Sequence, residues 1–282
     1  MYEIMKKFEF TGETKTINLL FGTATLHRIR AVAKFGFVEI GELGGWIEKE
    51  ENLSHEENAW VYGDAKVYGN AKVYGNAEVR DKAEVCGNAI VYGNAKVGAD
   101  AKVYGKAGVY GNAEVCGNAK VWYDAKVYGN AKVYSNAEVY SNAKVYDNAK
   151  VWEDAIVCSN VKVYGNAIVC GNAKVYGNAK VYGNAEVCGK AEVCGKAEVF
   201  STRHVLVIGT IGSQDDFATF YRDKDNEITV KCGYFLDKID KFLEKVTETH
   251  GDSNYALVCR AAVEAARLQI DLSNEVTKDA DE

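Results

Sequence analysis

The chain has 282 residues and a formal net charge of −6, and all of the acidic excess lies in residues 201–282, which hold 10 Lys and Arg against 16 Asp and Glu. No region carries the basic excess that gripping a nucleic-acid backbone requires, and no apolar run is long enough to span a bilayer. Met1-Tyr-Glu-Ile-Met-Lys-Lys also lacks the apolar core of a secretory signal, so a cytoplasmic protein of two or three structural units is expected.

Residues 1–58 read as a β cap. Phe8-Glu-Phe and Thr25-Leu-His-Arg-Ile-Arg-Ala-Val alternate as strands do. His27, Arg28 and Arg30 are either a small cationic site or ordinary polar residues on the outer face of a strand. Ile47 and Leu53 continue the spacing of the alanines that follow, so a first, irregular coil is expected to begin in Leu43-Gly-Gly-Trp-Ile-Glu.

From Ala59 to Thr202 the chain repeats Ala-x-Val-Tyr-Gly-Asn 24 times without insertion. Val holds its place in every unit, and Ala in all but one, where Val161 stands. Ala and Val lie two apart, so a strand turns both to one side. The flanking Lys or Glu and Tyr turn to the other. Gly and Asn then tolerate the positive φ of a corner. A six-residue period rich in Val and Gly excludes helix. One such strand cannot bury its inner face alone, so the units must stack as a solenoid.

The repeat resembles the hexapeptide array of left-handed β-helices, which implies three units per coil, so residues 18 apart should lie above one another. One column after Val is wholly aromatic: Tyr74, Tyr92, Tyr110, Tyr128, Tyr146, Tyr164, Tyr182 and Phe200. A second mixes Tyr, Trp and Cys. The third is irregular, running Tyr62, Arg80, Gly98, Cys116, Tyr134, Trp152, Cys170, Cys188. Beside the aromatic column stand Lys126, Lys144, Lys162 and Lys180. Such a strip could bind an anion, a glycan or a base, could be a stacking ladder with lysine stems over rings, or could be an oligomer interface. The Asn column is expected to be a corner hydrogen-bond ladder. Six of the eight Cys replace Tyr, and none forms a CxxC pair. They are expected to be reduced thiols, with no zinc site.

Residues 203–273 follow another grammar and read as a small α+β domain. His204-Val-Leu-Val-Ile is a strand, and residues 217–231 form a hairpin about Asp223-Lys-Asp-Asn. Leu236, Ile239, Leu243 and Val246 trace a helix ending near Gly251, and Tyr255, Cys259, Ala262, Ala266 and Ile270 trace another. Residues 274–282 are an acidic tail, expected to be disordered. Candidate binding residues here are His204, Arg222 and the loop Gly209-Thr-Ile-Gly-Ser-Gln-Asp-Asp, whose Gly212 and Ser213 could cradle a phosphate. The loop lacks a P-loop Lys, and strand rather than helix follows it. Cys232 and His250 are a weak nucleophile–base pair with no third group to orient them.

The array resembles the hexapeptide repeat of left-handed β-helices, the fold of bacterial acyltransferases. That resemblance implies three units per coil, left-handed winding, about eight triangular coils and a homo-oligomer, a trimer before a dimer. Acyltransferases of this kind carry a catalytic His on or beside the coils, often on an inserted loop. Here no His lies between Ala59 and Phe200 and no loop interrupts the count; His204 is the nearest. The whole chain also resembles phage and prophage accessory proteins of no established activity. That match rests on Leu26-His-Arg-Ile-Arg-Ala, on Leu43-Gly-Gly-Trp-Ile-Glu-Lys-Glu-Glu-Asn-Leu-Ser, on His204-Val-Leu-Val-Ile-Gly-Thr-Ile-Gly-Ser and on Thr247-Glu-Thr-His-Gly. It implies a bacterial host and a role that includes interference with a host process. The expectation is a mainly β, non-enzymatic scaffold or binding protein without cofactor, working through a homo-oligomer, a host protein or a small anionic ligand. An acyltransferase and a nucleotide-sequestering protein are the alternatives.

Overall fold

A computed structural model describes residues 6–20 and 22–273; the acidic tail lies outside them. The protein is mainly β, a parallel solenoid of stacked coils with a small antiparallel sheet and two C-terminal helices. None of the described helices is long and apolar enough to cross a membrane. The chain forms two compact units, residues 1–153 and 154–282. The division falls inside the repeats, where no change of sequence marks it.

The first unit opens with the antiparallel strands β1 (Phe8–Asn18) and β2 (Thr23–Ala31), followed by β3 (Leu43–Ile47). From β4 (Trp60–Val61) to β27 (Glu198–Val199) each repeat contributes one two-residue strand. Each strand pairs in parallel with those 18 residues away, as in Lys66↔Glu84 and Lys126↔Lys144. The N–H before Val donates to an Ala carbonyl of the next coil and the N–H after it to a Val carbonyl, as in Lys66 to Ala83 at 2.9 Å and Tyr68 to Val85 at 3.0 Å. Three repeats therefore make one turn. Throughout the array the Ala and Val side chains are at most 1% exposed.

Only the Gly position of each corner takes positive φ. Gly111 has φ 71°, and a Cβ there would come within 3.0 Å of the Gly129 nitrogen one coil on. In the first unit the same place also holds Asp81, Ala99, Tyr123, Ser135, Ser141, Asp147 and Glu153, with φ from 54° to 61°. The corner is thus imposed by stacking, and Gly merely lowers its cost.

The first coil corrects one sequence expectation. Ile47 and Leu53 pair with Val67 and Val73, so they occupy Val positions rather than Ala positions. The offset there is 20 residues, and the corner before Ala59 is two residues longer than the others. Lys7 holds that corner. Its buried ammonium donates to the carbonyls of Ala59 at 2.8 Å, Glu57 at 3.3 Å and Glu56 at 3.4 Å. Burial lowers its pKa to about 8, opposed by the nearby Glu57 charge.

In the second unit the repeats continue to Val199. The sheet of β28 (Val205–Ile211), β29 (Asp216–Arg222), β30 (Ile228–Cys232) and β31 (Phe235–Lys238) follows, then α1 (Ile239–His250) and α2 (Asn254–Gln269). Phe220, Val230, Phe242, Val263 and Ala266 share the domain core. Two sequence assignments shift here. Leu236 belongs to β31, because Gly233-Tyr234 closes a tight hairpin that pairs Cys232 with Phe235, and the helix starts only at Ile239. Tyr255 stands half exposed off the core face of α2, where Ala256 takes the buried place.

A further correction concerns the cysteines. Cys170 and Cys188 form a disulfide across 18 residues, with Cα atoms 4.5 Å apart. They are the one Cys pair in the array separated by a single turn, so stacking sets their sulfurs face to face. The remaining six are free thiols.

Candidate binding face and terminal cavity

In the first unit the aromatic column forms a continuous stack. Tyr74, Tyr92, Tyr110, Tyr128 and Tyr146 lie ring over ring with centroids 4.8–5.0 Å apart and planes within 12° of parallel. The 18-residue register creates this order, since strand spacing and ring-stacking distance nearly coincide. Lys126 and Lys144 stand level in the adjoining column, and no acidic residue occupies that column from Lys72 to Lys144. A neighbouring face is arranged differently. There Lys and Glu meet along the ladder, Lys66 with Glu84 at 2.7 Å and Lys120 with Glu138 at 2.9 Å. On the tyrosine face no Lys–Glu pair spans the ladder between Lys72 and Lys144, and the Asp147 charge at the neighbouring corner acts on Tyr128.

The second unit repeats the pattern with a different ending. Tyr164 and Tyr182 stack at 4.9 Å, Phe200 follows at 5.3 Å, and Lys162 stands level with Lys180. Lys180 meets Glu198 at 2.6 Å, and this hydrogen bond raises its pKa. Arg222 lies over Phe200 at 4.7 Å and donates to the Glu198 carbonyl at 3.3 Å and to Asn226. His204 meets the ring edge at 4.2 Å. Lys162, Lys180, Tyr164, Tyr182, His204 and Arg222 therefore converge on the last coils.

His204 has a definite task there. In a coil that another follows, the N–H after Val donates to the next turn. Phe200 instead donates its N–H to His204 Nδ1 at 3.2 Å. Glu192 N–H likewise finds Thr219 Oγ1 at 2.9 Å. The terminal domain thus supplies acceptors for two N–H groups at the open end of the solenoid, on the strands at Glu192 and Glu198, where unpaired edges would otherwise remain. Burial, with Arg222 adding repulsion, lowers the His204 pKa to about 4. A buried neutral imidazole already accepting a backbone proton is an edge cap.

Gly212 and Ser213 lie apart from this cluster. They belong to the turn between β28 and β29, two strands with no helix N-terminus, and they border a cavity of about 140 Å³. Its floor is Ile211, Phe235, Phe242, Val246, Cys232 and Cys259, with Lys245, Thr249 and His250 at the rim. The cavity brings Cys232 and His250 to one place, as the sequence pairing supposed. Burial, reinforced by the Asp216 charge, raises the Cys232 thiol to about 11, so it is protonated near neutral pH and a poor nucleophile. Cys259 is also raised by burial. The cavity is an apolar hollow with a polar lip rather than a phosphate cradle.

The cationic residues of β2 serve structure. Arg30 pairs with Glu9, His27 stacks on Phe10 at 4.8 Å, and Arg28 covers Trp46 at 5.4 Å. The Asn column forms the expected ladder, Asn58, Asn76, Asn94, Asn112, Asn130 and Asn148 linked in turn at 2.9–3.1 Å. Sequence reasoning missed the capping acceptors Thr219 and His204. Their signal was faint, a polar residue shortly after the last repeat and one within an apolar strand. No family model matches the chain, and no curated protein matches it.

Proposed function

We propose that this protein is a non-enzymatic β-solenoid scaffold or binding protein, acting through self-association and through a partner held on its tyrosine–lysine face. The observation that carries this reading is the five-ring stack of the first unit beside the level pair Lys126 and Lys144. Stacked rings on paired strands are ordered before anything binds, so little side-chain entropy is lost on contact. Aromatic area beside ammonium groups that meet no Glu along the ladder suits a partner that is planar or anionic, an acidic protein surface or a nucleotide among them. The acyltransferase alternative loses support because the imidazoles of His204 and His55 beside the coils are engaged in structure: His204 caps an edge, and His55, in the corner before Ala59, accepts the Lys7 N–H at 3.2 Å and meets Glu50 at 2.8 Å. The left-handed winding and the phage or prophage origin belong to the same proposal and rest on the resemblance alone.

Native mass spectrometry of the protein purified from its host tests the reading. A retained ligand or partner that is lost in the triple variant Lys126→Glu, Tyr128→Ser, Lys144→Glu supports it. A partner retained by that variant, or acetyl-CoA turnover by the wild type, overturns it.

A further inference from the structure

The two helices of the terminal domain present different faces to solvent. α1 turns outward charged pairs, Lys241 with Glu244 at 2.6 Å and Lys245 with Glu248 at 3.4 Å. α2 buries Ala256, Cys259, Ala262, Val263 and Ala266 against the sheet. On its outer side it still exposes Leu257 by 53%, Val258 by 48% and Leu268 by 83%. A second apolar face on a helix whose first is already buried calls for a covering.

The spacing on that outer side is ordered. Val258, Ala261, Ala265 and Leu268 are all exposed and follow one another at three, four and three residues, the seam of a helix pair. The order is large, small, small, large, which reads alike in both directions. We propose that this seam of α2 binds the same seam of a second copy, antiparallel, about a two-fold axis near Val263. Ala261 then faces Ala265 of the second copy, which lets the helices approach closely. Val258 packs against Leu268 of the second copy, and the contact occurs twice.

The charges fit the same direction. In this pairing Glu264 and Arg260 of the second copy are level to within two residues, or ~3 Å along the helix axis. A parallel pairing would set Glu264 opposite Glu264. Within one copy Glu264 meets Arg267 at 2.8 Å, and Arg260 meets Asp252 at 3.2 Å. Cross-pairing extends networks already in place on the rim. One helix pair is a small interface, so association in the micromolar range is expected.

This inference rests on the self-association part of the proposed function. Its experiment is sedimentation velocity on the full chain over a concentration series reaching about 100 µM. The wild type is expected to pass from monomer to dimer. Leu268→Glu, at an exposed position, should weaken association at least ~10-fold, and Lys241→Ala on α1 should leave it unchanged. Glu264→Arg should weaken it ~3- to 10-fold, and adding Arg260→Glu should restore it. A monomer throughout the series overturns the inference, while partner binding by the tyrosine face would stand. An oligomer that Leu268→Glu leaves intact also overturns it, and leaves self-association itself in place. Failure of Arg260→Glu to rescue Glu264→Arg rules out the antiparallel seam.

Discussion

The repeat array of the first unit and the terminal domain of the second solve burial in opposite ways. In the array the inner residues are Ala and Val again and again, all buried, and each pairs with its copies one turn away. In the terminal domain Phe220, Val230, Phe242 and Val263 come from distant parts of the sequence into one shared core. An array therefore feels a defect locally, whereas a shared core feels it everywhere.

The largest effect expected is from Val115→Asp against Val230→Asp. Both bury a carboxylate in a fully enclosed place, at a cost of ~4 kcal/mol or more. Hydrogen exchange should show the array variant losing protection in the flanking coils alone, while the domain variant loses it from β28 to α2 together. Global unfolding in both would break the comparison. Next, Cys170→Ser should destabilise the second unit by about 3 kcal/mol under oxidising conditions, since it opens a closed loop of one turn. Urea melts with and without reductant should then coincide for the variant and differ for the wild type.

The edge cap gives a pH test of similar size. His204 holds a lower pKa folded than unfolded, so between about 6.5 and about 4 the unfolded chain binds a proton that the folded chain refuses. Stability should fall as pH drops through that window, by on the order of 3 kcal/mol, and level off below it. His204→Asn should flatten this part of the pH profile. The smallest effect is expected from Asn112→Ala, an exposed rung of the corner ladder, at ~0.5 to 1 kcal/mol.

Much of the array was legible because its period is the signal. Six residues name the strand, and folding by the three units per coil that the resemblance implies names the columns, so the Tyr74-to-Tyr146 stack and the Asn ladder follow directly. The same folding places Cys170 beside Cys188; taking the cysteines one at a time as Tyr replacements concealed the pair. The phase of Ile47 and Leu53 was misleading because a two-residue longer corner, held by Lys7, shifts them onto Val positions. Leu236 looked helical because strand and helix spacings agree over three residues, and only the Gly233-Tyr234 turn separates them. The candidate site was legible as a list of residues. Which lysines meet a Glu along the ladder depends on register, and the capping role of His204 depends on which N–H groups the last coil leaves open.

That last coil also fixes how long the stack can become. A parallel ladder with identical rungs is a template, and any chain presenting the same edge can add to it, as strands add to a growing fibril. Thr219 and His204 occupy two of the donors at which addition would start. In polymer language the terminal domain is a chain terminator carried by the monomer itself, so a sequence built to repeat stops at a defined length.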